Sequence, residues 1–101
     1  MIDIKLTKYG PLHRVEANGH AEYNPGNDIV CASVSALFYA FAGYLKNKED
    51  VSNVVIDLKS GNSKIEGWGD LKEAFDMLVI GIEQIAQAYP ENVRCTYIDK
   101  Y

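Results

Sequence analysis

The stretch Gly19–Leu37, GHAEYNPGNDIVCASVSAL, decides how this chain is read. It starts at the end of an alternating apolar and polar segment, crosses a turn-rich loop, and enters a segment whose apolar residues recur three and four apart. That change of period marks a strand leading into a helix. It also places His20 at the strand end and Cys31 in the first turn of the helix. A cysteine attacks as its thiolate, and the unpaired N–H groups and positive dipole end of a helix N-terminus stabilise that anion. An imidazole nearby can pair with the thiolate and later protonate a leaving group.

Upstream, Ile2, Ile4 and Leu6 alternate with Asp3, Lys5 and Thr7, and Tyr9, Gly10 and Pro11 punctuate a reversal. Leu12–Gly19 then puts Val15 and Ala17 on one side and Arg14, Glu16 and Asn18 on the other, so the two segments read as a hairpin. The parity carries His20 to the polar side unless Gly19 introduces a bulge. His13 shares the side of Val15 and reads as structural, close to the turn.

Downstream, Asp28 is a good N-cap for a helix running from Ile29 to about Leu45. Val30, Val34, Leu37, Phe41 and Tyr44 or Leu45 are expected to face a sheet. The small residues Ala32, Ala36, Ala40 and Gly43 form an adjacent stripe that would let another helix approach, which predicts burial on two sides. Val54, Ile56 and Leu58 alternate against Val55, Asp57 and Lys59, and after Ser60–Ser63 the segment Lys64–Trp68 returns as a hairpin partner. Asp70 is expected to open a second helix with Leu71, Phe75, Leu78, Ile82, Ile85 and Tyr89 on one face, ended by Pro90. Val93, Cys95 and Tyr97 alternate in a last strand. The order is ββαββαβ, an α+β, two-layer arrangement with two helices on one face of a mainly antiparallel sheet, in a single domain spanning 1–101.

Composition narrows the function. A chain of 101 residues with 48% hydrophobic content can build one compact core without staples. A formal charge of -4 and the absence of a lysine or arginine cluster argue against direct nucleic-acid binding and suit a basic protein or peptide partner. Two cysteines far apart, with no CxxC pair, indicate neither a zinc ribbon nor a disulfide scaffold, so a reduced cytoplasmic thiol is expected. MIDIKLTKY lacks the pattern of a signal peptide, and no apolar run is expected to be long enough to span a membrane. No metal or other cofactor is expected, since His20, Cys31 and Cys95 share no local ligand spacing. Trp68 is expected in the core or at a dimer contact.

At GHA (Gly19, His20, Ala21), a short loop with Gly26, and DIVCASVSAL (Asp28–Leu37), the chain resembles the bacterial ribosomal-processing cysteine proteases, the Prp family. A weaker likeness covers the whole chain, including the opening strand pair and Tyr89–Pro90. The resemblance implies a homodimeric endopeptidase that removes the N-terminal extension of a ribosomal protein precursor, large-subunit ribosomal protein twenty-seven, cutting after an aromatic residue. It also implies Cys31 as nucleophile and His20 as the paired base. Ser33, where alanine is common, and the short loop depart from the family pattern. The backbone N–H of Cys31 and those of its neighbours are candidate oxyanion donors.

Four further residues are supporting candidates. Gly19 and Gly26 are either hinges of a substrate loop, Ala21–Asn27, or plain turn glycines. Asp28 reads as an N-cap, with orientation of His20 or shaping of the loop as the alternative. Ser35, one turn after Cys31, reads as packed among alanines at a helix crossing, with a hydrogen bond inside the site as the alternative. Two other function classes stand beside the peptidase. One is a thiol redox protein using Cys31, and the other is a noncatalytic dimeric peptide-binding module.

Overall fold

A computed structural model describes residues 1–24, 26 and 28–100. Pro25 and Asn27, part of the expected substrate loop, and the final Tyr101 lie outside the described residues. Strands β1 (Ile2–Tyr9) and β2 (Leu12–Asn18) precede α1 (Ile29–Asn47). Strands β3 (Ser52–Lys59) and β4 (Asn62–Trp68) precede α2 (Lys72–Ala88), and β5 (Val93–Lys100) closes the order ββαββαβ. The five strands form one sheet in the order β3-β4-β2-β1-β5. All neighbours are antiparallel except β1 and β5, which run parallel because α2 carries the chain back across the sheet.

The period-two pattern works as expected. Ile2, Ile4, Leu6, Val15, Ala17, Ile65 and Val93 are buried on one face of the sheet, and both helices cover that face. Val30, Val34, Phe38, Phe41, Ala42 and Leu45 supply the inner side of α1, and Phe75, Leu78, Val79 and Ile82 that of α2. Each Val, Leu, Ile or Phe side chain among them contributes roughly 1.5–3 kcal/mol on burial. His13 joins them at 2% exposure, its ring edge-on to Phe75 at 5.2 Å and its Nδ1–H donating to the Pro11 carbonyl at 2.9 Å.

Several expectations need correction. The stripe Ala32, Ala36 and Ala40 is exposed, so α1 packs on the sheet and on α2 but not through those alanines. The helices meet instead where Leu37 approaches Gly81, at which a Cβ would come within 2.9 Å of the leucine. Of Tyr44 and Leu45 it is Leu45 that faces inward, Tyr44 being exposed, and Phe38 is an inward residue the reading did not include. Val54 is exposed because the β3–β4 register shifts between Ser52 and Val55, which breaks the alternation. Asp70 does not open α2: Leu71 occupies the N-cap position without a side-chain cap. Trp68 is 38% exposed, which removes the core from the two places expected for it and not the dimer contact. Finally, α1 is long and apolar enough, by length and composition alone, to cross a membrane, contrary to the sequence expectation. Its inward face is nevertheless spent in the core.

The register gathers the site. Asp3 pairs with Asn18, and Asn18 with Asn62, so the start of β1, the end of β2 and the β3–β4 turn lie at the same end of the sheet.

Candidate active site

The chain leaves β2 at Gly19, whose φ of +94° and close approach to the Met1 carbonyl leave no room for a side chain. The Gly19 N–H donates to the Gly61 carbonyl at 2.9 Å, which ties this exit to the β3–β4 turn. His20 follows, exposed, with its ring lying against Gly61. Ala21 turns inward and is 1% exposed. Its carbonyl accepts from Asn92 Nδ2 at 2.9 Å, and its N–H donates to Cys31 Sγ at 3.3 Å. The peptide after the histidine is thereby clamped between the start of β5 and the sulfur.

Asp28 has extended backbone geometry and caps α1. Its Oδ1 accepts from the N–H groups of Val30 and Cys31, each at 3.0 Å, and its Oδ2 from that of Tyr23, also at 3.0 Å. These donors, Cys31 first, hold the carboxyl below the ordinary aspartate range. Tyr23 also stacks edge-on with Tyr89 at 5.3 Å, so the start of the loop is fixed by both the cap and the end of α2. The expectation of Cys31 and its neighbours as oxyanion donors is corrected here. The Val30 and Cys31 N–H groups serve the Asp28 side chain, and that of Ala32 serves the Asp28 carbonyl at 3.1 Å.

His20 and Cys31 open onto one cleft of about 280 Å³. Its apolar wall comes from Ile2, Ala17, Val34, Phe38 and Leu58, and its rim from Ser35, Tyr39 and the turn 59–63. Of the residues anticipated from sequence, Gly19, His20, Cys31 and Ser35 line this cleft. Asp28 stands behind it as the cap. Gly26 is exposed and does not line it. Ser35 is exposed at the rim rather than packed at a helix crossing, because α2 lies against a different face of α1. Two contributors were missed, the β3–β4 turn and Asn92. The first could have been found only by guessing that β4 pairs with β2; for the second the sequence carries no signal. Among the described residues no group of three or more His, Cys, Asp and Glu side chains is placed to hold a metal ion.

The family model described as cysteine protease Prp matches residues 1–94. This chain belongs to the Prp family of cysteine proteases. Two solved structures of the essential ribosomal processing protease Prp from S. aureus are similar at 25% identity, covering 96% of this chain and 99% of that one. The form with a covalently linked product peptide has a TM-score of 0.80, and the form with a substrate peptide 0.74. SMU.848 from Streptococcus mutans, 24% identical over 99% of this chain and 96% of its own, shares the fold with a TM-score of 0.74. No curated protein matches the chain at a significant level. As a Prp cysteine peptidase, the chain carries a thiol protease scaffold over nearly its full length.

Proposed function

We propose that the whole chain works as one endopeptidase unit, with Cys31 as nucleophile and His20 as its acid–base partner. Its substrate on this reading is a ribosomal protein precursor, large-subunit ribosomal protein twenty-seven, from which it removes the N-terminal extension after an aromatic residue. The observation that carries this reading is the meeting of Cys31 and His20 in one cleft with the Ala21 N–H on the sulfur. The ribosomal processing role and bound peptides of the S. aureus relative support the substrate class. The apolar wall of Ile2, Ala17, Val34, Phe38 and Leu58 suits an aromatic side chain beside the scissile bond.

The steps follow from the groups present. The Cys31 thiolate adds to the peptide carbonyl, and the C–N bond breaks as His20 passes its proton to the leaving amine. Neutral His20 then takes a proton from water, whose oxygen attacks the thioester and releases the acid, leaving the Cys31 thiolate beside protonated His20 as at the start. The Ala21 N–H, aimed at Sγ, holds the sulfur anion before attack.

The protein acts as a homodimer in the cytoplasm on this reading. Exposed Tyr39, Tyr44, Met77 and Ile80, beside the exposed alanine stripe, supply an apolar surface for a second copy. Sedimentation at micromolar concentration checks this, with a monomer as the contrary result. The peptidase itself is tested by incubating the extended ribosomal protein with wild type, Cys31→Ala and His20→Ala and weighing the products. Cleavage at one aromatic site by wild type alone is expected; equal cleavage by either variant removes that residue from the mechanism.

A further inference from the structure

We propose that Gly61, in the β3–β4 turn, is a positioning residue for the His20 imidazole; the inference rests on His20 being the partner of Cys31. The chain has a glycine with positive φ in each hairpin turn, Gly10 at +56° and Gly61 at +76°. Backbone geometry alone accounts for both. Their surroundings differ. A Cβ built on Gly10 meets nothing within 4 Å. One built on Gly61 comes within 2.8 Å of His20 Nε2, 3.2 Å of Cε1 and 3.6 Å of Cδ2.

The imidazole therefore rests on the bare face of the turn, in space that any other residue would fill. The same glycine also fixes the backbone leading into the histidine, since its carbonyl accepts the Gly19 N–H at 2.9 Å. Gly61 thus sets both where the strand exits and where the ring lies. His20 is exposed and, among the described residues, its ring makes no hydrogen bond that would hold it otherwise. An added methyl group is relieved most cheaply by swinging the ring away, which changes how the imidazole faces the cleft it shares with Cys31. Displacement of a catalytic group by about 1 Å can cost about a hundredfold in rate.

The test uses wild type, Gly61→Ala, Gly61→Asn and Gly10→Ala, with the alanine changes repeated in a His20→Ala background. Asparagine tolerates positive φ while still placing a Cβ against the ring. Two readouts are followed: cleavage of the extended ribosomal protein, and the pH profile of Cys31 alkylation by iodoacetamide, located by mass. Both Gly61 variants are expected to lower cleavage at least about tenfold relative to Gly10→Ala, and to shift the alkylation profile toward that of His20→Ala. In the His20→Ala background, Gly61→Ala is expected to change alkylation no more than Gly10→Ala does, because its effect passes through the ring.

Gly61 variants that behave like Gly10→Ala while His20→Ala is inactive overturn the inference and leave the dyad standing. An undiminished effect of Gly61→Ala without His20 also overturns it, as does failure of both Gly61 variants to fold where Gly10→Ala folds. Full cleavage by His20→Ala overturns the dyad first, and this inference with it.

Discussion

The chain holds two histidines and two cysteines, and one of each meets in the cleft while the other two do not. Cys31 and Cys95 are both free, both partly buried, and both beside a cavity. The cavity at Cys95, about 510 Å³, is the larger and is lined by Glu83 and Tyr97. What separates the two sulfurs is what points at them. Cys31 sits in the first turn of α1 and receives the Ala21 N–H. Cys95 lies on a strand, where burial pushes its thiol up and the Glu83 carboxylate pushes it further in the same direction. The histidines divide likewise: His20 is exposed in the cleft, whereas His13 is buried against Phe75 with Nε2 unpartnered among the described residues. On the proposed function, residue type alone does not make a nucleophile; oriented dipoles and access do.

The largest effect that could break this contrast comes from the cysteines themselves. Cys31→Ala is expected to lower precursor cleavage by roughly a thousandfold or more, and Cys95→Ala to leave it unchanged, both read by product mass. Next, His20→Ala should reduce kcat/KM by about 10²–10⁴-fold, whereas His13→Leu should leave kcat/KM near wild type in the folded fraction. A smaller loss is expected from Asn92→Ala, which frees the Ala21 carbonyl. One hydrogen bond at about 0.5–1.5 kcal/mol corresponds to roughly a two- to tenfold drop in cleavage, with Cys95 alkylation unaltered.

His13 also sharpens the contrast through pH. Burial lowers its pKa from 6.5, so the folded chain binds fewer protons than the unfolded one as pH falls through that region. Stability is therefore fully present above the ordinary histidine value and declines as pH drops toward the lowered folded value. Denaturant titrations of wild type and His13→Leu across this range should show the wild type losing stability with acid more steeply. Parallel curves would remove His13 from the account. The smallest effect is expected from Glu83→Gln, which should raise Cys95 alkylation modestly and leave that of Cys31 alone.

Much of the fold is legible because period and punctuation agree. Ile2, Ile4 and Leu6 mark β1, the Tyr9–Pro11 reversal marks the hairpin, and Asp28 marks the start of α1 with the cap bonds it makes. The same pattern placed Cys31 at a helix start and His20 at a strand end, and the family resemblance joined them as a pair. What the pattern misses depends on partners remote in sequence. Val54 obeys the alternation in sequence but not in space, since a register shift intervenes. The alanine stripe reads as a helix contact, yet α2 uses Leu37 and Gly81 instead. Gly61 enters the site only because β4 pairs with β2, and Asn92 only because β5 runs parallel to β1 from the same end of the sheet. The Cys31 N–H looked available as an oxyanion donor, but the Asp28 cap, correctly anticipated, already uses it.

The most direct test of the contrast between the two sulfurs is to label the intact protein with a peptide chloromethyl ketone ending in phenylalanine and to locate the adduct by mass. The account predicts labelling of Cys31, dependent on His20, with Cys95 unmodified. Labelling of Cys95, or of both cysteines equally, would contradict it.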